Sequence, residues 1–206
     1  MHHDHSFQVS LQVNSHIVAI ILAAGFSSRM GVFKPLLSLG GSLMIEKTIS
    51  SFLQAGLNDI RVVVGYRADE IIPLLIRLGV LPVVNEDYPS GMYSSIRAGV
   101  RTLNEEDAAF FLMPGDLPFV KPETIANIAL VFSQKGVSIL HPTFKGRRGH
   151  PPLISARYRD SILFGEPAGG LRSLLVEHEG DAIEIEVDDA GILTDLDTPE
   201  DYRKVL

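Results

Sequence analysis

Short, continuous hydrophobic runs alternate along this chain with longer segments that are apolar on one side only. A continuous apolar run bounded by Gly, Pro or polar residues is typical of a strand buried on both faces of a parallel sheet. Residues 182–187 predict a further strand by their alternation of apolar and polar positions. The continuous runs that predict strands are residues 18–24, 60–65, 82–85, 108–114 and 137–140.

The segments between these runs predict helices, because their apolar residues recur at helical spacing. We expect Ser42 to cap the first of these helices and Gly56 to end it. In the second helix, Pro73 is expected either to delay the start or to kink the helix. Thr198 followed by Pro199 marks the start of the last helix. The other predicted helices cover residues 92–103, 122–132, 156–163 and 171–178, and residues 36–41 predict a short strand and turn. Strands alternating with helices predict a three-layer α/β/α sandwich around a Rossmann-like, mostly parallel sheet.

Bulk composition narrows the functional classes. The chain has 206 residues, 46% of them hydrophobic, which suits one globular domain at residues 17–206. Residues 1–16 are rich in histidine and lack a signal-peptide pattern, so we expect a disordered tail that is native or derived from expression. A net charge of −7 argues against nucleic-acid binding, and no apolar run approaches the span of a membrane helix. The absence of cysteine fits a cytoplasmic location.

The first predicted strand leads into a loop that carries the small residues Gly25, Ser27 and Ser28, with Arg29 and Lys34 just beyond. Small residues let backbone N–H groups approach an anion closely, and the two cations suit a triphosphate. The loop matches neither the Walker A pattern nor the G-x-G-x-x-G fingerprint. The pattern predicts a phosphate cradle, and the alternative is a tight turn with two solvated charges.

Acidic residues stand at two marked places. Asp116 directly follows a buried run, where a carboxylate is costly unless it faces a crevice or meets a cation such as Mg²⁺. Asp195 and Asp197 alternate before the last helix, so they point the same way in an extended segment. The alternatives are a turn cap at Asp116 and helix-dipole complementation by the later pair.

Five segments between residues 17 and 206 resemble, in order, motifs of the MobA-like NTP transferase family, whose members include the enzymes that join CTP or GTP to molybdopterin. They are L-A-A-G-x-S-x-R-M-G-x-x-K at 22–34, G-M-x-x-S at 91–95, G-D-x-P at 115–118, R-G-H-P at 148–151 and D-x-D-T-P-E-D at 195–201. The resemblance implies the fold of the nucleotide-diphospho-sugar transferases. It also implies an enzyme that transfers a nucleotide and releases pyrophosphate.

The resemblance implies a role for each matching residue. Arg29, Lys34 and Asp116 would be catalytic, and Mg²⁺ would be held by Asp116 with Asp197, which we favour over Asp195. The residues implied for nucleotide binding are Leu22, Ala23, Ala24, Gly25, Ser28, Arg29, Met30, Gly31, Lys34, Gly91, Ser94, Ser95 and Asp116. The residues implied for the molybdopterin-type acceptor are Arg148, Gly149, His150 and Arg172.

Within the family, Ala24 favours the cytidylyl branch, which uses CTP, because the guanylyl branch usually has Gly at this position. Two departures bear on specificity: Leu117 stands where cytidylyl enzymes often have Gln, and residues 166–172 depart from a common G-D-x-G-A-R segment. A guanylyltransferase and a sugar-phosphate nucleotidyltransferase therefore stay as alternatives. A non-catalytic carrier that presents its ligand to a molybdoenzyme client is an alternative of another class.

Overall fold

A computed structural model of the chain describes residues 16–28, 30–165 and 169–206. The main sheet of the described residues has eight strands. A separate hairpin of two short strands, β2 (Ser38–Leu39) and β3 (Ser42–Leu43), lies where the sequence predicts a short strand and turn. The strands of the main sheet are β1 (His16–Ala23), β4 (Ile60–Val64), β5 (Leu81–Val84), β6 (Asp107–Pro114), β7 (Ile139–Phe144), β8 (Arg147–Arg148), β9 (Leu153–Ser155) and β10 (Ala182–Glu186).

The sheet is mixed but mostly parallel, as the sequence predicts. Its strand order is β10-β7-β9-β6-β1-β4-β5, and β8 extends β7 as an antiparallel partner. β1 pairs in parallel with both β4 and β6, so Ile21 lies between Val62 and Met113 at the centre of the sheet. β9 runs antiparallel between β6 and β7. The sequence did not predict β9, because three residues carry too little periodicity to be distinguished from a loop.

Helices cover both faces of this sheet and confirm the predicted three-layer architecture. They are α1 (Met44–Gln54), α2 (Ala68–Arg77), α3 (Met92–Arg101), α4 (Pro122–Lys135), α5 (Arg159–Phe164), α6 (Leu171–Glu177) and α7 (Pro199–Arg203). In the part of the chain that the structure describes, no helix is long and apolar enough to cross a membrane.

Two apolar layers hold the helices to the sheet. Alternate residues of β1 point to opposite faces: Ile21 packs in the layer under α1, α2 and α4, whereas Ile20 packs in the layer under α3, α5 and α6. Phe111 of β6 meets Phe52 of α1 edge-on at a centroid distance of 5.6 Å. Both rings are fully buried, and each such side chain contributes about 1.5–3 kcal/mol through its removal from water.

Two details of the helix starts differ from the prediction. Ser42 does not cap α1: the cap residue is Leu43, and the Glu46 carboxylate accepts a hydrogen bond from its backbone N–H at 2.8 Å. Ser42 pairs instead with Leu39 in the β2–β3 hairpin. Pro73 lies inside α2 and does not delay its start, because burial of the apolar face of α2 stabilises the helix despite the missing donor. The predicted cap at Thr198 is confirmed by a reciprocal pair of hydrogen bonds with Asp201.

The sequence placed His16 in the tail, yet His16 is the first residue of β1. Its Nδ1 lies 2.6 Å from Oδ1 of Asp107, the first residue of β6. Arg61 of β4 bonds to Asp107 at 3.2 Å and to Asp59 at 2.7 Å. These contacts tie together the amino ends of the three central strands. Burial alone would raise the pKa of Asp107, but its hydrogen bonds and the charges of Arg61 and His16 lower it.

The close approach of α3 to the sheet gives the first testable prediction. A Cβ added at Gly99 would lie 2.5 Å from Cγ2 of Ile20 and 3.1 Å from Cγ2 of Val63. We expect Gly99→Ala to lower the free energy of unfolding by about 1–2 kcal/mol, because overpacking outweighs the better helix propensity of alanine. Urea denaturation measures the change. Arg101→Ala, at an exposed position of α3, is the matched control and should change the free energy of unfolding by less than about 0.5 kcal/mol. A Gly99→Ala variant that is as stable as this control would contradict the prediction.

Candidate active site

A cavity of about 400 Å³ opens at the carboxyl ends of the central strands. This is the edge at which open α/β sheets bind ligands, and the volume lies in the range of small-molecule sites. The loop after β1, the segment before and into α3, the turn after β6 and the segment before α7 all contribute to it. The sequence-predicted residues among its lining are Leu22, Ala23, Ala24, Gly25, Ser28, Lys34, Gly91, Ser95, Asp116 and Asp197.

The loop after β1 is held in shape by local contacts. Ser27 adopts a left-handed backbone conformation with φ of 54°, and its Oγ accepts a hydrogen bond from the backbone N–H of Lys34 at 3.2 Å. Its carbonyl accepts from the N–H of Met30, whose side chain is buried. Gly25 and Ser28 stay exposed along the cavity wall, as a phosphate cradle requires. Met30 and Gly31 do not line the cavity: Met30 packs inward, and Gly31, at φ of 71°, turns the chain.

Lys34 joins the two predicted metal-ligating carboxylates. Its Nζ lies 2.8 Å from Oδ2 of Asp116 and 2.6 Å from Oδ1 of Asp197. The side chain of Lys34 is 11% exposed, and those of Asp116 and Asp197 are 25% and 22% exposed. Burial lowers the pKa of Lys34, but the hydrogen bonds and charges of the two aspartates outweigh burial and raise the pKa above its ordinary value. The ammonium is therefore charged across the physiological range of pH.

Backbone hydrogen bonds bring these three side chains together across the fold. The N–H of Gly115 donates to the carbonyl of Leu22 at 2.9 Å, which fixes the turn after β6 against the end of β1. A Cβ at Gly115 would lie 3.0 Å from that carbonyl oxygen, so this approach favours glycine. The N–H of Leu196 donates to the carbonyl of Asp116 at 3.1 Å, which places Asp197 beside Asp116. Asp195 is exposed and is not among the residues that line the cavity.

A small hydrogen-bond network supports the start of α3. Asn85 follows β5, and its Nδ2 donates to Oγ of Ser94 at 2.9 Å and to Oγ of Ser95 at 3.0 Å. Ser95 lines the main cavity, whereas Ser94 lines a separate polar cavity. The sequence predicted both serines as nucleotide contacts, and the structure brings only Ser95 to the main cavity. The sequence did not single out Asn85.

Sequence reasoning also missed an aromatic wall of the cavity, which consists of Phe26 and Tyr88. Their ring centroids are 5.2 Å apart, and the Phe26 ring is half exposed. Gly65, at the end of β4, leaves the space that Tyr88 fills, since a Cβ there would lie 2.6 Å from Cβ of Tyr88. Both residues are ordinary loop residues in the sequence, so only the aromatic character of Phe26 within a loop of small residues could have pointed to them.

The predicted acceptor residues lie apart from the main cavity. Arg148 of β8 is exposed and bonds to Glu179, at 3.0 Å through Nη1, and also to Glu184. These two glutamates raise the pKa of Arg148. Exposed ion pairs contribute little stability, so a phosphate could replace them at low cost. Arg172 at the start of α6 is exposed.

Gly149 and His150 follow Arg148 in the chain and are less exposed than it is. Gly149 packs against the segment before α7 so closely that a Cβ would lie 2.4 Å from the carbonyl oxygen of Ile192. His150 precedes a cis peptide bond to Pro151, and its buried Nδ1 has no hydrogen-bond partner among the residues that the structure describes. Burial lowers the pKa of His150 in spite of the opposing effects of a hydrogen bond to Leu112 and of Asp116 and Asp195.

Some predictions concern residues outside the described part of the chain: residues 1–15 of the predicted tail, Arg29, and residues 166–168 of the segment that departs from the family pattern. Within the described ranges, His16, Asp59 and Asp107 have ligand atoms within 4.8 Å of one another. This cluster lies at the amino ends of the strands, opposite the cavity, and Arg61 already neutralises its carboxylates. The pair Asp116 and Asp197 is the better candidate for a metal that acts on a bound nucleotide.

The chain is similar to known proteins in sequence and in fold. A family model described as a MobA-like NTP transferase domain matches residues 19–182. The chain is 31% identical over 189 residues to the molybdenum cofactor cytidylyltransferase of Escherichia coli K12, which covers 91% of this chain and 94% of that protein. It is also 27% identical over 202 residues to nicotine blue oxidoreductase of Paenarthrobacter nicotinovorans, with 92% and 96% coverage.

Among solved structures, Rv0371c of Mycobacterium tuberculosis H37Rv is similar, with a TM-score of 0.81, 26% identity and coverage of 94% of this chain and 98% of that one. A manganese complex of the same protein has a TM-score of 0.79 at 26% identity, with 93% and 98% coverage. A nucleotidyl transferase of Methanothermobacter is similar at a TM-score of 0.78, with 27% identity and 92% and 95% coverage. The predicted fold of the nucleotide-diphospho-sugar transferases is confirmed.

The buried histidine His141 of β7 yields a prediction about pH. Burial, with a smaller effect of Arg148, lowers its pKa below the ordinary value of 6.5, while Glu179 and Glu184 oppose the change. Below pH 6.5 the unfolded chain therefore binds a proton at His141 more readily than the folded state does, so the contribution of His141 to stability falls as the pH drops through that window. The loss is at most about 1.4 kcal/mol per pH unit.

Denaturation of the wild type and of His141→Leu at pH 7.5 and pH 5.5 measures this contribution. We expect the wild type to lose more stability than the variant on acidification. Equal losses in the two proteins would show that His141 does not titrate in this window.

Proposed function

This chain belongs to the MobA-like NTP transferase family, and from that premise we propose that it transfers CMP from CTP to the phosphate of a molybdopterin-type cofactor and releases pyrophosphate. The observation that carries the proposal is the Lys34 ammonium between Asp116 and Asp197 in a cavity of nucleotide size. Two carboxylates and a lysine beside a cradle of small residues suit a triphosphate with its divalent cation. We also propose that residues 17–206 form one nucleotidyltransferase domain and that the enzyme is cytoplasmic.

The attacking group in this proposal is the terminal phosphate monoester of the acceptor. Its second pKa is about 6, so it is mostly dianionic at neutral pH and needs no general base. An oxygen of this phosphate forms a bond to the α-phosphorus of CTP, and the bond from that phosphorus to the bridging oxygen of pyrophosphate breaks. The protein must align two anions and reduce their repulsion.

The residues of this chain divide that work. The exposed backbone of Gly25 and Ser28 faces the triphosphate, and Lys34 supplies a positive charge beside it, with Arg29 as the second cation in this proposal. The carboxylates of Asp116 and Asp197 would hold Mg²⁺, which neutralises charge on the triphosphate when bound. The oxygen donors fit this hard cation, and the ammonium that they already hold shows that the pair accepts positive charge.

We place the acceptor on the side of Arg148 and Arg172. Arg148 can exchange its glutamate partners for the acceptor phosphate, and the arginine fork matches a phosphate well. A molybdoenzyme client that receives the product would approach from this side. These assignments are supported by the match to the E. coli cytidylyltransferase over nearly the whole chain.

The direct test is release of pyrophosphate from CTP and molybdopterin in the presence of Mg²⁺. We expect turnover with CTP to exceed turnover with GTP by at least about tenfold, since Ala24 and the E. coli relative both favour CTP. Faster turnover with GTP would make the chain a guanylyltransferase. Turnover only with phosphorylated sugars or alditols would identify a sugar-phosphate nucleotidyltransferase. Binding of CTP without release of pyrophosphate would favour the alternative of a non-catalytic carrier.

The metal assignment gives a separate prediction. Asp116→Asn and Asp197→Asn keep the shape of the side chain but remove the charge, so each should reduce turnover more than about 100-fold. The protein should stay folded, because Lys34 keeps the other carboxylate as its partner in each variant. Asp195→Asn should reduce it far less, because Asp195 is exposed and does not contact Lys34 in the structure. Asp160→Asn, on the exposed surface of α5, is the matched control. Steady-state turnover and thermal unfolding are measured for each variant. An active Asp116→Asn variant would show that Asp116 is a structural cap and not a metal ligand.

A further inference from the structure

One amine serves both carboxylates of the site. Nζ of Lys34 bonds to Asp116 at 2.8 Å and to Asp197 at 2.6 Å, so the two carboxylate oxygens lie within a few ångströms of each other. Their mutual repulsion in this partly buried place is reduced by the ammonium, which stands where a cation is needed. Lys34 therefore positions both carboxylates before any ligand arrives.

The same ammonium opposes a free divalent cation. A metal that enters between Asp116 and Asp197 would meet the positive charge of Lys34 at short range, where water screens it little. The metal can bind well only if the ammonium moves away. A buried ammonium does not move without a new anionic partner, because an unpaired charge in such a place is costly.

A triphosphate supplies that partner. Lys34 is the first residue of a short 3₁₀ helix, and its backbone N–H is fixed to Ser27, so its long side chain can swing while its backbone stays in place. Gly25, Ser27 and Ser28 line the same cavity as its ammonium. A phosphate held by this loop lies within the cavity that Lys34 reaches, which allows the ammonium to exchange carboxylates for phosphate oxygens.

We propose that Lys34 is a resident counterion of the Asp116–Asp197 pair, which excludes a free divalent cation and admits the metal together with the triphosphate. The inference rests on the metal assignment of the proposed function. It predicts that metal and nucleotide bind cooperatively and reciprocally, each raising the affinity for the other. Lys34 is then a positioning and ordering residue as well as a phosphate ligand.

The test measures binding of Mn²⁺ as the probe, by the electron paramagnetic resonance signal of the free ion, with and without CTP and with no acceptor. The association of Mn²⁺ with CTP alone is measured in parallel and subtracted. In the wild type, we expect CTP to raise the Mn²⁺ affinity by about 5- to 150-fold. In Lys34→Met, we expect Mn²⁺ to bind without CTP at least about tenfold more tightly than in the wild type, and CTP to add much less.

Three further proteins complete the experiment. Lys135→Met, at the exposed end of α4, is the matched control and should behave as the wild type. Asp197→Asn should bind Mn²⁺ weakly with and without CTP. Should Lys34→Met fail to fold, Lys34→Arg replaces it: a retained cation keeps Mn²⁺ binding weak without CTP, and tight binding by this variant would contradict the proposal.

Equal Mn²⁺ affinities of the wild type and Lys34→Met without CTP would overturn the inference. A wild type that shows the cooperative binding yet releases no pyrophosphate would leave the inference intact and refute the proposed reaction. No binding of Mn²⁺ to either protein, with or without CTP, would refute the metal assignment and the inference with it.

Discussion

The ion pairs of Lys34 with Asp116 and Asp197 are the interaction on which the rest of the site depends. The three residues come from the loop after β1, the turn after β6 and the segment before α7, which are distant along the chain. Because the side chains are mostly buried, each charge requires the others, and the three segments are held together at one point. The cavity has its shape because this point is fixed beside the loop of small residues.

The parallel core makes this meeting possible. β1 lies between β4 and β6, so the loops that follow these strands open at the same edge. At the opposite edge, Arg61 pairs with Asp59 and Asp107, and His16 adds a further contact. Both ends of the central strands therefore carry buried charge clusters, but of different kinds. The amino-end cluster contains a guanidinium bonded by both carboxylates and serves to hold strands, whereas the carboxyl-end cluster opens into a cavity.

The second half of the chain adds a surface of another kind. Arg148 is exposed and paired with Glu179 and Glu184, and the charges of all three residues act on the buried His141. The tight packing of Gly149 against Ile192 links it to the segment that carries Asp197. A change in this loop would therefore reach the pair Asp116 and Asp197 through backbone contacts. This part of the fold includes the antiparallel β9, where the regular alternation of strand and helix ends.

The sequence alone determined the alternation of strands and helices, the three-layer architecture and the family, because these depend on periodic burial and on contiguous motifs. It also predicted Asp116, Asp197 and Lys34 as site residues, since each belongs to a local pattern. The sequence predicted neither β9 nor the cap at Leu43, because each involves too few residues to show a periodic pattern. Only the tertiary structure decided that Asp197 rather than Asp195 contacts Lys34, that Ser95 but not Ser94 lines the main cavity and that Phe26 with Tyr88 forms its wall. The physical reason is that these outcomes depend on which loops the parallel sheet brings together, and distances between loops that are far apart in the chain are not encoded in any local pattern.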